Sequence, residues 1–265
     1  MTASARYVKL FLMQCKLSIM SAAIYRANFW LMLIQSVINS LMGIMCVEFI
    51  YGSVESIGGW GRSEMLMLIC TAQIVNQLFR GIVHFNQNGF VASVGSGGFD
   101  RALTRPVGLM FQVSTGRVDV SCPMSALCPL IVLITQASAS GAKIGAANAA
   151  LFVLFVMNGV VTLSAFMLLI YTTVFVFIKV DGLNNIYYQI MDVAEKPKEM
   201  FPRQALYGFV FVLPAIPLAN APVAALLGRA SAPLLLSSLA ACALFVTASY
   251  AALRAGLRRY SSASG

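Results

Sequence analysis

Apolar runs free of any charged residue alternate with short basic, glycine-rich or proline-rich breaks along almost the whole chain, at 27–47, 65–79, 120–142, 144–178, 204–228 and 230–253. A helix needs roughly 20 predominantly apolar residues to cross a bilayer, so the pattern predicts an all-α integral membrane bundle of six transmembrane helices. They are placed at 27–51, 63–84, 113–137, 146–178, 205–228 and 232–254, within a single domain covering 1–265. The second is short and needs Arg80 and His84 inside or just past it. The fourth is too long for one crossing and is expected to project into an interface or to bend near Gly159. Pro214, Pro217 and Pro222 interrupt the fifth around Asn220, which predicts a kinked span followed by a re-entrant turn on the outer side.

Ahead of the first span, Val8, Leu12, Cys15, Ile19 and Ala22 recur at helical spacing while Arg6, Lys9 and Lys16 fall on another face. Residues 1–26 therefore read as an amphipathic helix lying in the membrane interface. The intervening stretches 85–110 and 179–204 read as loops on that same side.

Composition supports a membrane solvent. The chain is 59% hydrophobic and only 10% charged, with a mean hydropathy of +0.83, against about 25% charged residues in a water-soluble domain. The net charge of +9 comes from basic residues spread singly between apolar runs, which argues against nucleic acid as a partner. Counting Lys and Arg by the positive-inside rule puts the N-terminus, both long loops and, after an even number of spans, the C-terminus in the cytoplasm. Arg62, Lys143 and Arg229 remain outside. The localisation expected is a multi-pass protein of the cytoplasmic membrane.

Catalytic signatures are missing. No G-x-x-x-x-G-K-[ST] stretch exists to cradle nucleotide phosphates, and His84 is the only histidine, which excludes H-E-x-x-H zinc sites and histidine-based triads. The six cysteines show no C-x-x-C spacing, so no disulfide and no metal site is assigned. The informative polar pattern lies in the second span, where Gln73, Asn76, Gln77, Arg80 and His84 fall on one helix face. Gln35 and Asn39 repeat it in the first. Amides in hydrocarbon need partners or water, so these residues either glue helices together or line a path. Between the second and third spans, Phe99 and Leu103 read as apolar anchors and Asp100, Arg101, Thr104 and Arg105 as displayed groups suited to docking a soluble partner; a solvated positive-inside loop fits the same residues.

Taken in order, Tyr25-Arg26-Ala27-Asn28-Phe29, Gly98-Phe99-Asp100, Leu103-Thr104-Arg105-Pro106, Asp181-Gly182-Leu183-Asn184, Phe201-Pro202-Arg203 and the segment from Asn220 to Gly228 resemble the small six-span members of the ABC-2-type transporter permeases. The resemblance implies an N-terminal interfacial helix and two permease subunits, of the same or a related chain, facing each other across a path. Each would rest on a separate ABC ATP-binding subunit. ATP and Mg are then expected on that partner, with no cofactor in this chain and no enzymatic activity of its own. Phe99 to Arg105 would be the element that couples to the ATPase, Gln35, Asn39, Gln73, Asn76, Gln77 and Arg80 the path or polar bundle face, and Pro214, Pro217, Asn220 and Pro222 the outer gate. The expected function is the membrane-spanning part of an ATP-driven exporter. An autonomous secondary transporter or channel driven by an ion gradient is the alternative, and a membrane scaffold a third reading.

Overall fold

Apolar runs without a polar partner must hydrogen-bond their own backbone, and they do so as helices. The computed structural model describes residues 3–24, 26–140, 144–177 and 182–260; Tyr25, Lys143, Lys179 and Asp181 lie outside them, as does the side chain of Asn28. In chain order the helices are α1 (Ala3–Ile24), α2 (Arg26–Tyr51), α3 (Arg62–Phe79), α4 (Phe85–Gly95), α5 (Asp100–Leu103), α6 (Leu109–Thr115), α7 (Ser121–Ser125), α8 (Leu127–Ala139), α9 (Ala146–Tyr171), α10 (Leu183–Ala194), α11 (Arg203–Phe211), α12 (Ile216–Leu226) and α13 (Ala232–Arg259). No strand occurs among the described residues. Six stretches are long and apolar enough to cross a membrane: Ala5–Ile24, Phe29–Tyr51, Arg62–Gly95, Ser121–Ala139, Ala146–Phe175 and Ala232–Arg259.

The second span differs from its expected bounds. A π-helical turn, Arg80–His84, joins α3 to α4 and carries the helix to Gly95, where the polarity of Asn86, Gln87 and Asn88 suggests a loop. Their amide nitrogens find partners within the bundle. Asn86 Nδ2 donates to Ile82 O and Arg117 O, both at 2.7 Å, and Gln87 Nε2 donates to Ser164 O at 2.8 Å. At the other end Glu64, in the first turn, accepts from the Gly61 N–H at 3.3 Å, placing a negative charge where the helix dipole favours it. The third span starts at Ser121, with its apolar run rather than at the expected 113, since Gly116 to Val120 leave the helix between α6 and α7.

Two ends of the bundle are set by side-chain contacts. At one, Trp60, Glu64, Glu199 and Arg229 converge: the Trp60 indole N–H donates to Glu199 at 2.7 Å, and Arg229 pairs with Glu64. At the other, Phe99 packs edge-on against Phe90, Phe175 and Tyr260 at ring separations of 5.3–5.9 Å.

Residues 179–204, expected as one loop, do not stay at one end. α10 begins with Asn184 beside Tyr171, whose hydroxyl donates to Asn184 Oδ1 at 2.8 Å. It passes Phe79 and His84 through Tyr187, at ring separations of 5.5 and 5.2 Å, and delivers Glu199 to Trp60 at the opposite end. The chain then returns inward. α11 and α12 are set at 108° to each other across a four-residue break, and Leu218 lies against Gly159 in mid-α9 while Gly228 lies by Asn148 in the first turn of α9. The expected kinked fifth span is thus a hairpin that enters and leaves at the Trp60 end.

All eleven residues of α12 are buried, and their small side chains explain how. Helices in lipid gain nothing from excluding water, so close backbone approach through Ala and Gly does the packing. Gly159 sits inside the continuous α9; a Cβ there would meet Leu218 Cα at 3.2 Å and Leu218 O at 3.3 Å. Pro222 contributes to that contact. Its missing N–H and its ring deprive the Leu218 carbonyl of the usual helical donor, turning that oxygen toward α9. Around this crossing Phe166 and Phe245 stack edge-on at 5.3 Å, joining α9 to α13.

Candidate functional site

The segment after α4 is held on three sides. Phe99 is 1% exposed within the aromatic cluster, so it anchors the loop to its own bundle. Gln112 Nε2, from α6, donates to Ala102 O at 3.2 Å and Val107 O at 2.7 Å. From α1, Arg6 donates to Pro106 O at 3.0 Å, and the Gly108 N–H donates to the Tyr7 hydroxyl at 3.2 Å. What this bracing leaves outside is Arg101, Leu103, Thr104 and Arg105, all exposed; Asp100 is half-buried. Phe99 and Leu103, which the sequence pairs as anchors, therefore separate into a buried root and an exposed tip.

The shared polar face of the second span divides between two neighbours. Gln73 and Gln77 turn to α2: Gln73 Nε2 donates to Ser40 O at 3.4 Å, and Gln77 Nε2 donates to Ser36 Oγ. Ser36 in turn donates to Ser125 Oγ at 2.9 Å, so α2, α3 and α7 share one buried polar seam. Asn76 and His84 turn to α10, where Asn76 Oδ1 accepts from the Tyr187 hydroxyl and the His84 ring stacks on Tyr187. Arg80 is exposed, with no ion pair among the described residues. The π turn that displays it also frees a carbonyl: Gly81 O accepts from the Asp119 N–H at 2.7 Å, tying the end of the braced loop to the middle of the span. Such turns often mark functional positions in helices.

Gln35 and Asn39 do not join Ser36 and Ser40 in the seam. They are exposed, on a stripe of α2 continued by Met42, Cys46 and Phe49, the last 85% exposed.

α10 adds residues absent from the expected set. Leu183, Ile186, Tyr187, Ile190, Met191 and Ala194 face the bundle, whereas Asn185, Tyr188, Gln189 and Asp192 are exposed. Asp192 pairs with Lys196 one turn on, at 2.6 Å. The apolar members recur at helical spacing, which is the sequence signal that reveals this helix.

Of the outer set, Pro214 lies in the break between α11 and α12, and Pro217 in the first turn of α12, where its fixed φ suits a helix start. Asn220 is 1% exposed. It accepts from the Lys198 N–H at 2.8 Å and donates to Lys196 O at 3.1 Å, stitching α12 to the segment after α10. Burial works against the charge of Glu199, but hydrogen bonds from Lys198 and the Trp60 indole outweigh it and hold its carboxyl below the ordinary value of 4.5. A depressed folded value means that the stabilisation is present above the unfolded pKa and is lost as pH falls through the folded one. With Trp30→Phe leaving Trp60 as sole tryptophan, indole fluorescence should stay constant down through pH 4.5 and shift only below it; a shift centred above 4.5 contradicts the pairing.

No curated protein and no solved structure matches the chain. A family model described as ABC-2 family transporter protein matches residues 37–264, a range that takes in the braced loop, the π turn, α10 and the buried hairpin. With the helical bundle and its several membrane-length apolar helices, that match places the chain in the ABC-2 transporter family, as a multi-pass membrane permease component.

Proposed function

We propose that the chain is the permease half of an ATP-driven exporter whose ATPase is a separate subunit docking on the loop after α4. The observation that carries this reading is the bracing of Arg101 to Arg105, a short exposed basic element rigidly joined to the bundle core through Phe99. Force applied at that element reaches two places, the aromatic cluster and, through Asp119 and Gly81, the π turn beside Arg80. The sequence offers no phosphate-binding loop of its own, so hydrolysis must be supplied from outside.

The Phe99 end is the cytoplasmic one in this reading. Arg6, Lys9, Lys16, Arg26, Arg101, Arg105, Arg117, Arg254, Arg258 and Arg259 gather there, and they outweigh Arg62, Lys196, Lys198, Arg203 and Arg229 at the other end even after α10 carries two lysines across. Crossings are α2, α3 with α4, α7 with α8, α9, α10 and α13. α1 lies in the interface and the α11–α12 hairpin re-enters from outside, so both termini are cytoplasmic. The polar side of α10, with Arg80, forms the wall of the path, because Asn185, Gln189 and Asp192 facing lipid would be costly. Gln35 and Asn39 face a second permease subunit across that path.

The test is purification of the tagged chain in mild detergent, identification of stoichiometric partners, and assay of ATP hydrolysis. A P-loop ATPase should co-purify, and Arg101→Glu with Arg105→Glu should reduce its recovery and the stimulated ATPase at least about tenfold without lowering the melting temperature. Wild-type recovery in that variant would overturn the docking assignment. Asp192 on the exposed side of α10 is the one observation favouring ion-coupled transport; gradient-driven flux by the purified chain alone, abolished by Asp192→Asn, would favour that reading instead.

A further inference from the structure

α1 contacts the rest of the chain through Tyr7, which lies 5.0 Å ring to ring from Phe111, and through Ser18, whose hydroxyl accepts from the Val118 N–H at 3.3 Å. Beside that contact, Val8, Leu12 and Ile19 share one face of the helix and are each more than half exposed. An apolar face of this kind on a helix at the basic end of a membrane protein is in contact with lipid. Between the last turns of α1, the start of α2 and the start of α7 lies a groove of about 240 Å³, walled by Ile19, Ala22, Phe29, Val120 and Met124. That volume is below the roughly 300–1,000 Å³ of sites for drug-sized solutes, and apart from Arg26 and the Trp30 indole its walls offer a solute little to hydrogen-bond.

One lining residue is different. Arg26 donates from Nε to Ala23 O at 3.1 Å, which fixes the guanidinium at the groove and leaves both terminal nitrogens without a hydrogen bond among the described residues. Two such N–H groups match two oxygens of a phosphate. The segment leading into the groove carries charge of one sign: Arg6, Lys9, Lys16 and Arg26 precede the first acidic residue of the chain, Glu48. Asp119, next to the groove wall, is engaged elsewhere, its Oδ1 accepting from the Ser121 N–H at 2.9 Å and from the Ser121 hydroxyl.

We infer that this groove is a binding site for one anionic phospholipid of the leaflet at the Phe99 end, an acyl chain lying against Ile19, Ala22 and Met124 and its phosphate on Arg26. The lipid would wedge α1 against α2 and α7, at the opposite end of α1 from the Arg6 and Tyr7 contacts that brace the loop. The inference needs the chain in a membrane but no ATPase partner, so it stands or falls apart from the coupling reading.

The experiment uses the full-length protein, with whatever subunits accompany it, in nanodiscs containing a phosphatidylglycerol with a photoactivatable group in its acyl chain. Peptide mapping should place the label in 19–30 and 120–124, and unlabelled phosphatidylglycerol should compete about tenfold better than phosphatidylcholine, because both carry the phosphate but choline sets a second positive charge against the guanidinium. Arg26→Gln should bring the two lipids to parity while the label stays in place, and Ala22→Trp should remove the label by filling the groove. Label scattered over the other apolar surfaces, equal competition in the wild type, or competition by glycerol phosphate without an acyl chain would each overturn the site. If Arg26→Gln fails to fold, the wild-type map and competition decide the matter.

Discussion

Replacing Gly159 with leucine is expected to leave the bundle unable to close, with loss of the monodisperse peak in fluorescence-detected size exclusion or a fall in melting temperature of well over ten degrees. The atoms that a side chain would meet are Leu218 Cα and O, and backbone cannot swing aside as a side-chain tip can. α12 has no free face onto which it could retreat, since all its residues are buried. Overpacking by a few methylenes costs about 1–3 kcal/mol in a well-packed core, and four carbons against backbone belong above that range. Gly159→Ala, whose single carbon sits 3.2 Å from Leu218 Cα, should fold with a smaller loss. A leucine variant that elutes and melts like the wild type would show that α9 and α12 do not cross so closely.

Asn220→Leu is expected to be nearly as damaging, for the opposite reason. The replacement is close in size, but it leaves two partly buried backbone groups, the Lys198 N–H and the Lys196 carbonyl, without these partners. Each unsatisfied group costs about 1–3 kcal/mol, giving about 2–6 kcal/mol together as an upper range for partly buried groups, and the loss is focused where α10 meets the hairpin. Asn220→Asp separates the two bonds: it keeps an acceptor for Lys198 but presents an oxygen to the Lys196 carbonyl. It should therefore be destabilised too, though by less. The check is the melting temperature of the three proteins alongside proteolysis between 195 and 203, which should accelerate in the order wild type, Asp, Leu.

Long uninterrupted apolar runs made α9 and α13 readable from sequence, because nothing else accommodates that many apolar residues. The prolines around Asn220 likewise announced broken helices. What escaped was α10. Asp192, Asn184 and Asn185 mark it as loop when spans are sought as charge-free runs, although the spacing of Leu183, Ile186, Tyr187, Ile190 and Met191 is helical. Once the fifth apolar run had been taken for a crossing, no place was left for it. At the candidate site the shared face of Gln73, Asn76, Gln77 and Arg80 was legible, since it depends only on helical geometry. Which neighbours those amides meet was not, because Ser36, Ser40 and Tyr187 are brought to them by tertiary packing. Phe99 illustrates the same limit: its apolar character is plain, but its burial depends on Phe175 and Tyr260, far along the chain.

The polar side of α10 also bears on how the chain is made. A segment of this composition has little standing as an independent insertion sequence, since an aspartate alone costs about 2.5–3.5 kcal/mol at the centre of a helix leaving the translocon. The ribosome delivers α3 and α9 before it, and α12 and α13 after it. Tyr187 finds Asn76 and His84 already in the bilayer, whereas the Asn220 contacts come only once the hairpin has been synthesised. In the topology proposed above, α10 would therefore enter the membrane as a client of its neighbours, and maturation would end not with the last span but with the locking of an earlier one.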